Sequence, residues 1–149
     1  LTSLFVVSAF VAQITTVMTV DAIKSSVNSV DDLYGKQIGT INDSTAAAYF
    51  NGRELQFIGY DDLDSMLASF EAGDLDAVVF DAPVLAYYAK TKGAHTATMT
   101  GPVFLRENYA IALPSGSSLA EDFNQALLQL REDGTYTSLF SSWFGSKTF

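Results

Sequence analysis

The hydrophobic pattern of this chain changes character once, near residue 20. From Leu1 to Val20 (LTSLFVVSAFVAQITTVMTV) no residue is charged, and all 8 Lys+Arg and 17 Asp+Glu lie beyond it. Drawn as a helix, this stretch would span about 30 Å, roughly the hydrocarbon thickness of a bilayer. Hydroxyl and amide groups at Ser8, Gln13, Thr15, Thr16 and Thr19 suit a helix facing partner helices or water more than one ringed by lipid. The pattern therefore predicts one transmembrane helix over residues 1–20. Two other readings compete. A signal peptide would want a basic start and an A-x-A site, neither of which is visible. A buried helix of a soluble domain is harder to match with twenty uncharged residues in an otherwise acidic chain. The sequence opens at Leu1, inside the apolar run, and is read as a C-terminal fragment.

After a polar connector, Asp21 to Ser29, the pattern alternates between short apolar runs and helical stripes. Ser29 and Asp32 resemble the start of a helical turn. Strands are expected at Gln37–Asn42, Gln56–Tyr60 and Leu75–Phe80, the last nearly continuous and β-branched, as in a strand covered on both faces. Helices are expected at Thr45–Asn51 and at Asp62–Ala72, where Leu63, Met66, Leu67 and Phe70 make one apolar stripe closed by Gly73. Another should start at Pro83 and end by Gly93. Two further strands are read at Ala94–Thr100 and Asn108–Leu113. Ser118 and Glu121 spell a capping box opening a helix with Phe123, Ala126, Leu127 and Leu130 inward. Gly134 closes that helix, and a last one, Thr135–Phe144, carries Tyr136, Leu139, Phe140, Trp143 and Phe144. Strands alternating with helices of this length imply an α/β fold with a mainly parallel sheet.

Composition narrows the function. Of 149 residues, 48% are hydrophobic and 17% charged, so the chain has ample core and is not disordered. A net charge of −9 with no basic cluster argues against nucleic acid as a partner. There is no cysteine and a single histidine, His95, which excludes disulfides, thiolate or multi-histidine metal sites and cysteine nucleophiles. No P-loop, G-x-G-x-x-G, G-x-S-x-G or H-E-x-x-H is present, so neither an enzyme nor a cofactor is expected. Asp61, Asp62 and Asp64 lack the glycine and closing glutamate of a calcium loop and read as a helix first turn.

In an open parallel sheet, ligands bind beyond the carboxyl ends of the strands. Asp43-Ser44-Thr45 follows the first of those strands and opens a helix, so amides and hydroxyls there could hold a carboxylate. Asp81 follows the third, where it could pair an ammonium group. Together they suit a zwitterion. The plainer reading is that Asp43 or Ser44 caps one helix and Asp81 the next.

Several runs carry a resemblance: Thr19-Val20, then Val30-Asp31-Asp32-Leu33-Tyr34-Gly35-Lys36-Gln37-Ile38-Gly39-Thr40, then Asp43-Ser44-Thr45. Gly73 to Asp81, Tyr109 to Pro114, Leu130 to Tyr136 and Trp143-Phe144-Gly145 follow in order. The chain resembles the second segment of prokaryotic ionotropic glutamate receptors, which look like a family 3 extracellular solute-binding protein with an inserted ion pore. Ala9 to Val20 is similar to the pore-lining helix end, with Ala9, Phe10, Ala12, Gln13 and Thr16 as its gate residues. An apolar segment running directly into a second lobe fits an inserted pore better than a leader peptide.

The resemblance implies a type 2 periplasmic-binding-protein-like lobe: residues 1–20 the pore helix, 21–29 a linker, 30–105 ligand-binding lobe 2, and 106–149 a return segment completing lobe 1. Ser44 and Thr45 would bind the carboxylate of an amino acid and Asp81 its amino group. Asp43 stands where the pattern usually has glycine, and its charge would disfavour an acidic ligand side chain. The implied protein is a homotetrameric amino-acid-gated cation channel of the cell membrane, its binding domain on the periplasmic or extracellular side. The alternative is the amino-acid-binding protein of an uptake transporter.

Overall fold

The apolar run that ends at Phe80 forms strand β4 (Ala77–Phe80), whose first three residues are buried. Described in this computed structural model are residues 16–20, 27–106 and 108–145. Four further strands join β4: β1 (Thr16–Val20), β2 (Ile38–Ile41), β3 (Ile58–Tyr60) and β5 (Ala97–Thr100). Their order across the sheet is β3-β2-β4-β1-β5. β2 runs parallel to both β3 and β4, whereas β1 runs antiparallel to both β4 and β5. The sheet is thus mainly parallel, as expected, with one reversed strand near its middle.

Because successive strand residues face opposite sides, β4 feeds two cores. Ala77 and Val79 join Val27, Leu33, Ile38 and Phe50 beneath α1 (Thr45–Gly52). Val78 joins Met18, Met66, Phe70, Leu75 and Leu85 beneath α2 (Leu63–Ala72) and α3 (Ala82–Lys90). Each fully buried aliphatic or aromatic side chain is worth roughly 1.5–3 kcal/mol relative to exposure. The expected stripe of α2 is realised: Met66, Leu67 and Phe70 are buried and Leu63 packs at their edge. Asp62 caps the helix by accepting the Ser65 amide (2.8 Å), and Gly73 ends it at φ +85°. Behind it, the buried Tyr88 hydroxyl donates to Glu71 Oε1; burial, then that bond and the nearby charge, push its pKa well above the tyrosine range.

A 3-10 turn at Val30–Leu33 leads into β2. It is anchored by Asp32, whose Oδ2 accepts the amides of Asn28 (2.8 Å) and Ser29 (2.9 Å) and the Ser29 hydroxyl (3.2 Å). These bonds, the Asn28 amide foremost, hold the carboxyl below its ordinary range.

Three expectations need correction. The single helix over residues 1–20 does not extend to Val20, because Thr16–Val20 is the strand β1. Four of its five residues are β-branched, which favours extended backbone. Its lack of charge has a second cause besides lipid: it lies between β4 and β5, with Met18 opposite Val78 and Met99 and fully buried. Thr16 therefore belongs to the sheet, while Ala9, Phe10, Ala12 and Gln13 lie outside the described residues. Among the described residues no helix is long and apolar enough to cross a membrane.

The strand expected at Asn108–Leu113 is the second. Of residues 108–113 only Tyr109 makes a β-bridge, and Tyr109 and Ile111 are exposed, so no strand forms there among the described residues. The third concerns α4 (Leu119–Glu132). Ser118 makes no side-chain cap, and Phe123 and Leu130, expected inward, are 43% and 38% exposed. Neither α4 nor α5 (Thr135–Phe144) buries a residue. α5 leans on α3 through Tyr87 and Trp143, ring centroids 6.0 Å apart, and through Lys90, whose ammonium donates to the Ser142 carbonyl.

Two measurements test this packing. A Cβ at Gly39 would lie 2.5 Å from Leu75 Cδ1 and 3.3 Å from Met66 Cγ. Gly39→Ala should therefore cost about 1–3 kcal/mol through overpacking, read as a lower urea midpoint at unchanged m-value. For Asp32, the lowered folded pKa makes its contribution present above about pH 4 and lost as pH falls through the folded value. Asp32→Asn should lower the melting temperature at pH 7, and the gap to the parent protein should close on acidification below pH 4. A gap independent of pH would contradict the assignment.

Candidate functional site

The carboxyl ends of β2 and β4 lie side by side, because these strands are parallel neighbours. Beyond them opens a pocket of about 570 Å³ lined by Ile41, Asn42, Asp43, Ser44, Thr45, Phe80, Asp81, Asn108 and Tyr109. All four residues proposed from the sequence as ligand-binding (Asp43, Ser44, Thr45 and Asp81) line this one pocket, although Asp81 is 36 or more positions from the others.

Ser44 is the N-cap of α1. Its Oγ accepts the Ala47 amide at 3.1 Å and lies 3.5 Å from the buried Thr40 hydroxyl, which itself donates to the Val79 carbonyl at 2.6 Å. The capping role anticipated for Ser44 is thus real, and since Thr40 spends its proton on Val79, it is Ser44 that donates in the long contact between the two hydroxyls. The amides of Thr45 and Ala46, in the first turn, have no carbonyl one turn earlier to accept them. With the positive end of the helix dipole they form an anion-favouring corner. Thr45 is exposed beside them.

Asp81 does not cap. It occupies the N-cap position of α3, yet its side chain bonds no helix amide. The sequence supplies the reason: Pro83, in the first turn, has no N–H to offer at one of the two positions an N-cap oxygen ordinarily engages. The carboxylate instead accepts the Tyr109 hydroxyl at 2.5 Å. Asp81 is half-buried and Tyr109 exposed, and both line the pocket. Here the plainer reading of Asp81 as a cap fails.

Asp43 holds a left-handed backbone, φ +57°, a region glycine enters freely and aspartate enters at modest cost. That geometry explains why glycine would suit the position. Asn42 is fixed by donating to Asp61 Oδ1 (2.9 Å), and its amide oxygen fills the space where a side chain on Gly59 would sit.

Sequence reasoning did not single out Asn42, Asn108 or Tyr109 as site residues. Asn108 and Tyr109 arrive from a remote, non-regular segment, and only tertiary contact brings them to the strand ends. Among the described residues no cluster of His, Cys, Asp and Glu could hold a metal ion.

No protein-family model matches the chain. The ABC transporter arginine-binding protein 1 of Escherichia coli is 30% identical over 127 residues, covering 81% of this chain and 52% of that protein. Among solved structures, the GluR0 ligand-binding core of Nostoc punctiforme in complex with L-glutamate superposes at a TM-score of 0.70 with 33% identity, covering 93% of this chain and 66% of that one. An ancestral arginine-binding protein bound to glutamine gives 0.67 and 28%, covering 93% and 64%. The fold is that of the family 3 solute-binding proteins. The chain spans about half the length of the curated relatives it matches.

The two residues that open α1 should separate by mutation. Ser44→Ala removes the cap and should cost about 0.5–2 kcal/mol of stability, seen as a lower melting temperature. Thr45→Ala, at an exposed position, should change stability by no more than about 0.5 kcal/mol.

Proposed function

We propose that this chain forms part of an amino-acid-binding domain, with the ligand lodged at the carboxyl ends of β2 and β4. The ligand carboxylate lies against the Thr45 and Ala46 amides and the Ser44 and Thr45 hydroxyls; its ammonium group pairs with Asp81. The observation that carries this reading is the Asp81 carboxylate, which forgoes its helix cap and shares one pocket with an anion-favouring helix end. Opposite charges facing each other across one small cavity match an α-amino acid.

In this reading residues 30–105, with β1 inserted in their sheet, form lobe 2 and residues 106–149 complete lobe 1. The exposed apolar surface of α4 and α5, with Leu139 52% and Trp143 57% exposed, supports that division, since such a face is at home under a second layer. The finer proposal is a subunit of an amino-acid-gated cation channel, a homotetramer in the cell membrane with this domain on the periplasmic or extracellular side. Support comes from the likeness to the GluR0 core and from the uncharged residues 1–15 leading straight into β1. β1 then becomes the mechanical link: any pull on residues 1–15 is resisted by ladders to two strands. Gating through it requires a differential ligand affinity of about 1–3 kcal/mol between the two gate states. The alternative, a binding protein of an ABC-type uptake transporter, is favoured by the arginine-binding and cystine-binding relatives.

Asp81→Asn in the full-length protein should weaken amino-acid binding by more than about tenfold, since a hydrogen bond to a charged group is worth about 1.5–3 kcal/mol. Unchanged calorimetric affinity would dismiss its role. Amino-acid-evoked current after reconstitution in liposomes would favour the channel; release of the intact protein by osmotic shock would favour the transporter component.

A further inference from the structure

The pocket contains an electrostatic asymmetry that its fold does not require. Two carboxylates line it, and among its described lining residues there is no lysine, arginine or histidine. Asp81 is engaged by Tyr109. Asp43 differs: its neighbours Asn42 and Ser44 are tied to Asp61 and Ala47, but within the described residues no hydrogen bond or ion pair holds the Asp43 carboxylate. It caps nothing, since the N-cap of α1 is Ser44. Its backbone is left-handed, where a glycine would be at ease. An exposed, uncommitted charge on the wall of a site, at a backbone position glycine would take more easily, invites an account in terms of what enters that site.

We infer that Asp43 is a specificity-determining residue, setting the site to prefer amino acids whose side chains end in a cation, a guanidinium or ammonium group, over those ending in a carboxylate. The inference rests on the amino-acid-binding reading above. It adds what the fold leaves open, because similar proteins fall on both sides: one is named for arginine and another was solved with L-glutamate. With the ligand's own ammonium group matched by Asp81, a second fixed negative charge has no partner in a glutamate or aspartate ligand and repels its side chain. A cationic side chain supplies the missing counter-charge.

The test is calorimetric titration of the purified full-length protein with arginine, lysine, glutamine and glutamate at low and physiological salt. Arginine and lysine should bind more tightly than glutamine, and glutamate most weakly. In Asp43→Asn and Asp43→Gly, arginine should lose about three- to tenfold in affinity, the range of a partly exposed ion pair. Glutamine should stay within about twofold and glutamate should improve, the differences narrowing as salt screens the charge. The melting temperature of Asp43→Gly should be equal to or above that of the parent, which separates selectivity from folding. Parent protein binding glutamate as well as arginine, or an unaltered ranking in both variants, would overturn the inference while leaving amino-acid binding intact. Failure of all four to bind would overturn both.

Discussion

The constraint on which this structure depends is that β4 is enclosed on every side. Its edges are occupied by β2 in one direction and β1 in the other, and its faces by two separate apolar cores. With no water within reach, each backbone amide and carbonyl of β4 needs a partner in a neighbouring strand, and each side chain must be apolar. The strand escapes this confinement only at its carboxyl end. Phe80 and then Asp81 emerge there into the pocket, so the most enclosed element of the fold is also the one that aims the site's carboxylate.

The pocket divides its polar groups between holding the fold and remaining available. Ser44 Oγ and Asn42 serve local structure, through the Ala47 amide and Asp61 respectively. The Thr45 and Ala46 amides and the Asp43 carboxylate are not consumed in that way, and the Asp81 carboxylate bonds only the Tyr109 hydroxyl among the described residues. Pro83 is central to this division, since by removing an amide from the start of α3 it leaves the Asp81 carboxylate to Tyr109. Tyr109 in turn connects the segment after residue 105, none of whose described residues is buried, to the end of β4. Asp81 is therefore the point at which both parts of the chain meet.

Much was legible in the sequence where short-range physics dominates. The stripe of α2 and its Gly73 stop, the Ser29–Asp32 turn and the doubly covered run ending at Phe80 all follow from side chains within a few positions of one another; that Asp62 caps α2 rather than joining its first turn was left to the structure. Asp43, Ser44, Thr45 and Asp81 could be nominated as one site because strand-helix boundaries mark where an α/β sheet exposes its ends. What failed were inferences in which a local signal had two long-range solutions. Thr16–Val20 lacks charge in a lipid-spanning helix and in a central strand alike, and the decision belonged to the gap between β4 and β5. The stripe of α4 predicts an apolar partner, but among the described residues only α5 lies against it, and Phe123 and Leu130 stay exposed.

The sequence by itself therefore determined most of the elements, the Ser44 cap, the Gly73 stop, the α/β class and the polar residue types at the strand ends, because each depends on neighbours within a turn or two of chain. Only the tertiary structure decided that β1 runs against its neighbours, that Asp81 is released from capping, and that Tyr109 crosses from a distant segment to meet it. These are contacts between groups tens of residues apart, and their geometry is set by how two cores close around one strand, which no local pattern encodes.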